Sequence, residues 1–195
     1  MSERFSVPAT RGTVQAGPTQ LSYLDWGGDG PAALLLHGIT SDARAWWRAA
    51  LQLRDAGRRV IALDMPGHGA SEMSRAHDID AIGALAGDAV AALGLRELLL
   101  IGHSWGGATA LALASGAHPA RELLASVVLV DPALGMSAAW GEARLPFYLE
   151  GVGEPAAVNA PRLRARNPDW LDEDVHWKAL ALEQCRAEQV RGFFT

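Results

Sequence analysis

The amino-acid sequence predicts an α/β domain in which a mostly parallel sheet carries helices on both faces. Four short and continuously apolar segments have the character of strands that are buried on both faces. Segments with helical periodicity, or with helix-start and helix-stop signals, separate these strands, and such alternation is typical of parallel α/β sheets. The 195 residues, 49% of them hydrophobic, are enough for one domain with a buried core.

The predicted elements follow one another along the chain in a regular order. An alternating segment, residues 21–26, indicates a first strand that ends at a turn rich in Gly and Pro. The buried strands are residues 32–36, 59–63, 98–101 and 126–130. Three helices are predicted between them. The first begins at Ser41 or Asp42 and ends at Ala56, the second covers the apolar spacing from Ile82 to Leu93, and the third spans the small residues 106–117.

The character of the sequence changes after Leu134. Residues 140–167 mix Gly, Pro and Arg without a clear period, and Asn167-Pro168 precedes a predicted helix from about Leu171 to Arg191. No strand-like segment follows Val130. We therefore expect residues 1–135 to form the N-terminal part of an α/β core and residues 136–195 to form part of a helical cap or lid, without the C-terminal core strands.

Composition excludes several functional classes. The net charge of −5 and the absence of a basic run argue against nucleic acid or a membrane as partner. A single cysteine, Cys185, excludes an intrachain disulfide and a zinc site built from several thiolates. The N-terminus lacks the apolar segment of a secretory signal, and no apolar run approaches the length of a membrane span. The sequence thus predicts a soluble, cytoplasmic α/β domain.

The strongest chemical signal is Gly102-His103-Ser104-Trp105-Gly106, which lies where the third buried strand passes into a helix. A G-x-S-x-G turn of this kind holds its serine in a strained backbone conformation, with the hydroxyl group above the sheet edge. Side chains in place of the glycines would collide with neighbouring backbone. The alternative is that Gly106 is only a packing glycine and that Ser104 is an ordinary helix cap.

With this motif in place, the chain resembles the α/β-hydrolase superfamily, in the branch of serine esterases, lactonases and C–C hydrolases. Three further segments match the family in the same order along the chain. They are His37-Gly38-Ile39 after the first buried strand, the D-x-x-G-x-G-x-S loop of residues 64–71, and Asp131-Pro132-Ala133 before the cap. The resemblance covers about residues 20–135, and the cap region more loosely.

The resemblance implies a role for each of these positions. Ser104 would be the nucleophile, the backbone N–H groups of Ile39 and Trp105 would form the oxyanion hole, and His37 and Gly38 would shape the pocket. Relatives with dehalogenase or epoxide hydrolase activity carry Asp at the elbow. A serine there favours attack on esters, thioesters, lactones, amides or C–C bonds next to a ketone. No metal or other cofactor is implied.

A serine nucleophile needs a general base and an acid that orients it, and in this family both follow the serine in the chain. Asp131 is a candidate acid, with a turn-capping role as the alternative. His118 and His176 are poor candidates for the base, because they fall at the far end of the elbow helix and in the cap. The resemblance therefore predicts a chain truncated within the cap, with its histidine and usual acid beyond residue 195 and with weak or no turnover.

The cap is expected to contribute Trp140, Phe147 and Tyr148 to an apolar pocket for a small acyl substrate, with packing inside the cap as the alternative. The favoured function is an ester or related acyl hydrolase that forms a serine acyl-enzyme. A C–C hydrolase or perhydrolase with the same site, and a non-catalytic ligand-binding protein, remain open. The 126–130 strand is further expected to form an exposed sheet edge, which favours self-association.

Overall fold

Six strands form one sheet in the computed structural model, which describes residues 5–194. They are β1 (Thr10–Ala16), β2 (Thr19–Gly27), β3 (Ala32–Leu36), β4 (Arg59–Leu63), β5 (Leu98–His103) and β6 (Leu124–Val130). Their order across the sheet is β1-β2-β4-β3-β5-β6. β2 pairs antiparallel with both β1 and β4, and all other neighbours are parallel. This confirms the predicted, mostly parallel sheet.

Helices cover both faces of the sheet, as predicted. Within residues 5–194 they are α1 (Trp47–Asp55), α2 (Ile79–Ala92), α3 (Trp105–Ser115), α4 (Ala138–Leu149), α5 (Ala156–Arg166), α6 (Asp172–Gln184) and α7 (Ala187–Phe194). Successive side chains of a strand point to opposite faces. Leu34 and Leu36 of β3 accordingly lie in one apolar cluster with residues of α2 and α3, whereas Leu35 lies in a second cluster with residues of α1.

Capping residues explain where the first helices begin. The carboxylate of Asp42 accepts a hydrogen bond from the N–H of Arg44, and a short 3-10 segment, Ala43–Trp46, then leads into α1. The Asp78 carboxylate accepts from the N–H of Ala81 at 2.8 Å, so α2 begins at Ile79, slightly before the predicted apolar spacing. The sequence offers Ser41 or Asp42 as the N-cap of the first helix, and in the structure the cap is Asp42.

Two segments differ from the prediction near the ends of the chain. β1 was not predicted, because only Val14 and Ala16 of this strand are buried, and it exists through its hairpin pairing with β2. The single helix expected over about 171–191 is two helices, α6 and α7. Cys185 between them is extended and buried, and the N–H of Arg186 donates to the Gly67 carbonyl at 2.8 Å. A tertiary hydrogen bond therefore replaces the helical one at this point.

Residues 140–167, which lack a clear sequence period, are also largely helical. They form most of α4 and all of α5, and each helix contains an internal proline, Pro146 and Pro161. These prolines obscure the apolar spacing, since a proline removes one helical hydrogen bond and usually ends a helix. No strand follows Val130 among residues 5–194.

β6 is the last strand on its side of the described sheet and pairs with β5 alone. Several of its apolar side chains are exposed, including Val128 at 43% and Val130 at 42%. Self-association through this edge remains a prediction, as do the division into core and cap and the cytoplasmic location. None of the described helices combines the length and the hydropathy needed to cross a bilayer.

Candidate active site

Ser104 stands at the turn between β5 and α3 in a strained backbone conformation, with φ +51° and ψ −115°. Three hydrogen bonds fix its main chain. Its N–H donates to the carbonyl of Val130, and its carbonyl accepts from the N–H groups of Ala108 and Ala133, all at 3.0 Å. The end of β6 and the loop after it therefore hold the turn against α3.

The glycines around Ser104 are required by contact with neighbouring backbone. A Cβ added at Gly102 would lie 2.1 Å from the carbonyl oxygen of Gly106, and one added at Gly106 would lie 2.2 Å from that of Leu36. A Cβ added at Gly38 would lie 3.2 Å from the Cβ of Ser104. The loop after β3 thus passes directly beside Ser104, and larger residues at these positions would force the segments apart.

Replacing Gly106 by alanine is expected to lower the free energy of unfolding by about 3 kcal/mol. The added methyl group would overlap a backbone carbonyl of the central strand β3, which has little freedom to move. This cost exceeds the gain of about 1 kcal/mol that alanine has over glycine inside a helix. Urea denaturation, followed by tryptophan fluorescence, measures the change.

Gly141→Ala is the matched control for that substitution. Gly141 also lies in a helix, α4, but the nearest atom to an added Cβ is the Phe194 carbonyl oxygen at 3.1 Å. We expect this variant to stay within about 1 kcal/mol of the parent chain. Equal losses for the two variants would contradict the proposed backbone clash at Gly106.

Two buried histidines support the loops beside Ser104. His37 and His68 are each at most 1% exposed, and each Nδ1–H donates to a backbone carbonyl at 2.8 Å. Nε2 of His37 accepts from the N–H of Met65 at 2.8 Å, and Nε2 of His68 accepts from that of Thr40 at 3.1 Å. Burial lowers the pKa of His37 to about 4 and that of His68 to about 3. Both rings are therefore neutral near pH 7, and both of their nitrogens are occupied by backbone.

Asp64, the first residue of the 64–71 loop, is fully buried. Its carboxylate accepts hydrogen bonds from the N–H groups of Ala43 at 2.9 Å and Ala70 at 3.1 Å, and from Nη1 of Arg11 at 2.6 Å. Burial acts to raise the pKa of Asp64, but the Ala43 amide, the Arg11 charge and the Ala70 amide together hold it below the usual range. This carboxylate joins the 64–71 loop to the segment that precedes α1.

A cavity of about 640 Å³ opens above Ser104. Of the residues that the sequence analysis assigned to the site, those that border it are His37, Gly38, Ile39, Ser104, Phe147 and Tyr148. Trp105 follows Ser104 as the first residue of α3, and its indole is buried against the rings of His68 and Phe193. A larger cavity of about 730 Å³ lies elsewhere, between α3, α4 and α7, and does not include Ser104.

Two expected site residues lie outside the Ser104 cavity. Trp140 is 38% exposed, and its ring lies 6.4 Å from that of Phe194, so it packs at the α4–α7 contact. Asp131 directly follows β6 with φ +44°, and its side chain is exposed. Within residues 5–194 the Asp131 carboxylate has no ion pair or hydrogen bond with another side chain.

The histidines that follow Ser104 in the chain also lie away from this cavity. Nε2 of His118 contacts the Asp88 carboxylate at 3.1 Å, beyond the far end of α3. The ring of His176 packs on that of Trp177 with 4.6 Å between centroids, and burial lowers the pKa of His176. His103, which precedes Ser104, does border the cavity. In the described ranges no group of three or more His, Cys, Asp or Glu residues is placed to hold a metal ion.

Several residues of the cavity were not found by sequence reasoning. From α5 to α6 they are Leu163, Arg166, Lys178 and Leu182, and Glu150 and Trp46 also contribute. Lys178 is the most unusual of them. Its Nζ donates to the carbonyl of Thr40 at 2.7 Å and to Oγ1 of the same residue at 3.0 Å, so α6 contacts the loop beside Ser104. The one available sequence signal is that Lys178 is the only lysine of the chain.

Comparison with known proteins agrees with this geometry. N-formylmaleamate deformylase of Pseudomonas putida is 33% identical over 180 residues, which cover 89% of this chain and 65% of the relative. A non-heme haloperoxidase of Rhodococcus erythropolis is 41% identical over 90 residues, which cover 46% of this chain and 32% of the relative. The chain therefore spans less than two thirds of the length of these curated relatives.

A solved structure and a family model also match this chain. The crystal structure of E-2-(acetamidomethylene)succinate hydrolase superposes with a TM-score of 0.81 at 21% identity, over 95% of this chain and 72% of that one, which shows a shared fold. A family model described as alpha/beta hydrolase fold matches residues 31–153, from β3 to the turn after α4. The chain thus belongs to the α/β hydrolase family.

Proposed function

We propose that the chain carries the nucleophile of a hydrolase that cleaves an ester or a related acyl substrate through a serine acyl-enzyme. The observation that carries this proposal is the conformation of Ser104, which is held at φ +51° at the border of a cavity of about 640 Å³. Strained backbone of this kind is costly and is concentrated at functional sites. A helix cap with no catalytic role does not require it.

The surrounding main chain supplies groups suited to acyl transfer. In the proposed reaction, Oγ of Ser104 forms a bond to the substrate carbonyl carbon, and the carbonyl oxygen becomes an oxyanion. The N–H group of Trp105, at the start of α3 where the first N–H groups of a helix have no partner within it, would stabilise that oxyanion together with the N–H group of Ile39 in the loop after β3. The bond from the carbonyl carbon to the leaving group then breaks, and the leaving group departs with the proton lost by the Ser104 hydroxyl. Water hydrolyses the acyl-enzyme, releases the carboxylic acid and restores the hydroxyl group of Ser104.

One of the relatives supports the same reaction class. The Pseudomonas putida relative, 33% identical to this chain, is named as a deformylase, and removal of a formyl group is an acyl transfer. The apolar side chains at the cavity, among them Phe147 and Leu182, suit a small substrate with a carbon chain. We therefore favour acyl hydrolysis over the ligand-binding alternative.

Brief incubation with p-nitrophenyl acetate tests this proposal. We expect an acetyl group on Ser104, located by mass spectrometry of proteolytic peptides. We also expect a burst that releases no more than one molecule of p-nitrophenol per protein chain. The same reaction in urea is the control, because acetylation that depends on the strained turn must disappear on unfolding. Acetyl groups spread over several side chains, or found equally in urea, would contradict the proposal.

A further inference from the structure

Lys178 is the only lysine in a chain whose other 16 basic residues are arginines. It is partly buried, and it borders the cavity that holds Ser104. A lysine ammonium group has three N–H donors. Two of these donors are used by one residue, because Nζ donates to both the carbonyl oxygen and Oγ1 of Thr40. One donor therefore remains for a group that enters the cavity.

The charge of Lys178 is not balanced by a neighbouring carboxylate. Glu150 and Arg166 also border the cavity, but they pair with each other through two hydrogen bonds of 2.7 and 2.9 Å. Asp42 attracts Lys178 electrostatically, yet its carboxylate is bound by Arg44. The ion pairs of residues 5–194 include none with Lys178. The wall of the cavity thus carries one uncompensated positive charge.

The ammonium form of Lys178 prevails at neutral pH. Burial lowers the pKa of Lys178 to about 8, and Cys185 and Asp42 offset part of that shift. The group is therefore still charged near pH 7, but it has lost much of its hydration. A partly desolvated ammonium group gains more from an anion than an exposed one does, because the local dielectric constant is lower.

We infer that the Ser104 cavity accepts acyl compounds that carry a second, free carboxylate, and that the remaining N–H of Lys178 binds this carboxylate. The inference rests on the proposed function, because it names the substrate class of that same site. The apolar side chains of Phe147, Leu163 and Leu182 would enclose the carbon chain between the two ends of such a substrate. Ser104 would then act on the carbonyl at the end that is not held by Lys178.

Lys178 also has a structural contact, and the test must separate the two roles. Thr40 has φ +60° and directly follows Ile39, so loss of its bond to Lys178 can disturb the loop beside Ser104. That disturbance would slow all acyl substrates alike. Loss of a carboxylate contact would instead slow only the substrates that carry the carboxylate. The ratio of kcat/KM for two substrates that differ only in the carboxylate therefore reports carboxylate binding.

The first measurement compares p-nitrophenyl hemisuccinate with p-nitrophenyl butyrate, which differ by a carboxylate in place of a methyl group. We expect the parent chain to prefer the hemisuccinate in kcat/KM, and Lys178→Met to lower that preference about 10-fold to 100-fold. Lys178→Arg should keep most of the preference. Arg162→Gln, which removes an exposed positive charge paired with Glu154, should leave it unchanged.

The second measurement is direct binding and does not depend on turnover. Biosynthetic ¹³C-lysine labelling gives one Hε–Cε signal, because the chain has one lysine. Succinate should shift that signal, and the neutral analogue succinamide should not. An unmoved signal with succinate, or equal slowing of both esters in Lys178→Met, would overturn the inference. If neither ester is cleaved in a Ser104-dependent way, the proposed function fails, and the succinate titration alone decides the role of Lys178.

Discussion

Replacing Ser104 by alanine is expected to remove the Ser104-dependent part of p-nitrophenol release from p-nitrophenyl acetate and to abolish covalent labelling by a fluorophosphonate reagent. The alanine variant keeps the cavity, the Ile39 amide and the glycines of the turn, and it lacks only the oxygen that forms the bond to the substrate. The residual rate should therefore be that of p-nitrophenyl acetate in buffer, slightly raised by the remaining binding groups. Initial rates and intact-protein mass measure the two effects.

Ser115→Ala is the matched control. Ser115 is exposed at the other end of α3, and its hydroxyl group donates to the carbonyl of Leu111 at 2.8 Å. This variant should retain both the parent rate and the label. Persistent labelling of Ser104→Ala, or an unchanged rate, would show that another residue is the nucleophile. Equal loss in both variants would point to a general disturbance of α3.

The turn around Ser104 could be predicted from sequence because the residues that mark it, a serine between two glycines at fixed spacing, lie within five adjacent positions. Gly102 and Gly106 are the residues whose side chains would meet backbone at 2.1 and 2.2 Å, and no residue other than glycine avoids that contact. The buried strand before the turn and the small residues after it are visible in the same short window. The same reasoning located Asp42 as a cap. A feature whose required residues fall within one segment is thus readable from the sequence of that segment, even where one of the contacts that require them, that of Gly106 with Leu36, is made with another strand.

The contacts made by the last four helices could not be predicted in this way. A lysine in a helix is ordinarily exposed, and the bond from Lys178 to Thr40 depends on how α6 lies against the loop after β3. Trp140 illustrates the reverse case. An aromatic residue in this region was expected at the pocket, but the orientation of α4 places its ring against Phe194. Such positions are set by the packing of distant segments, and no local pattern encodes them.

Asp64→Asn is expected to lower the free energy of unfolding by about 4 kcal/mol at neutral pH. Asp64 is fully buried and accepts three hydrogen bonds, and the carboxylate also balances the charge of Arg11. Asparagine has nearly the same shape, but its NH₂ group would face one or more of these donors and leave them unsatisfied. Asp25→Asn is the control, since the Asp25–Arg59 pair is partly exposed and its loss should cost less than about 1 kcal/mol.

The same carboxylate predicts how stability depends on pH. The pKa of Asp64 is lower in the folded chain than the ordinary aspartate value of about 3.9. Its contribution is therefore complete above that value and is lost as the pH falls towards the lower folded-state pKa. Urea denaturation from about pH 5 down to about pH 3 should show a steeper loss for the parent chain than for Asp64→Asn, which has no group to protonate at this position. Parallel curves would contradict this, because they would mean that Asp64 has the same pKa in the folded and unfolded chain.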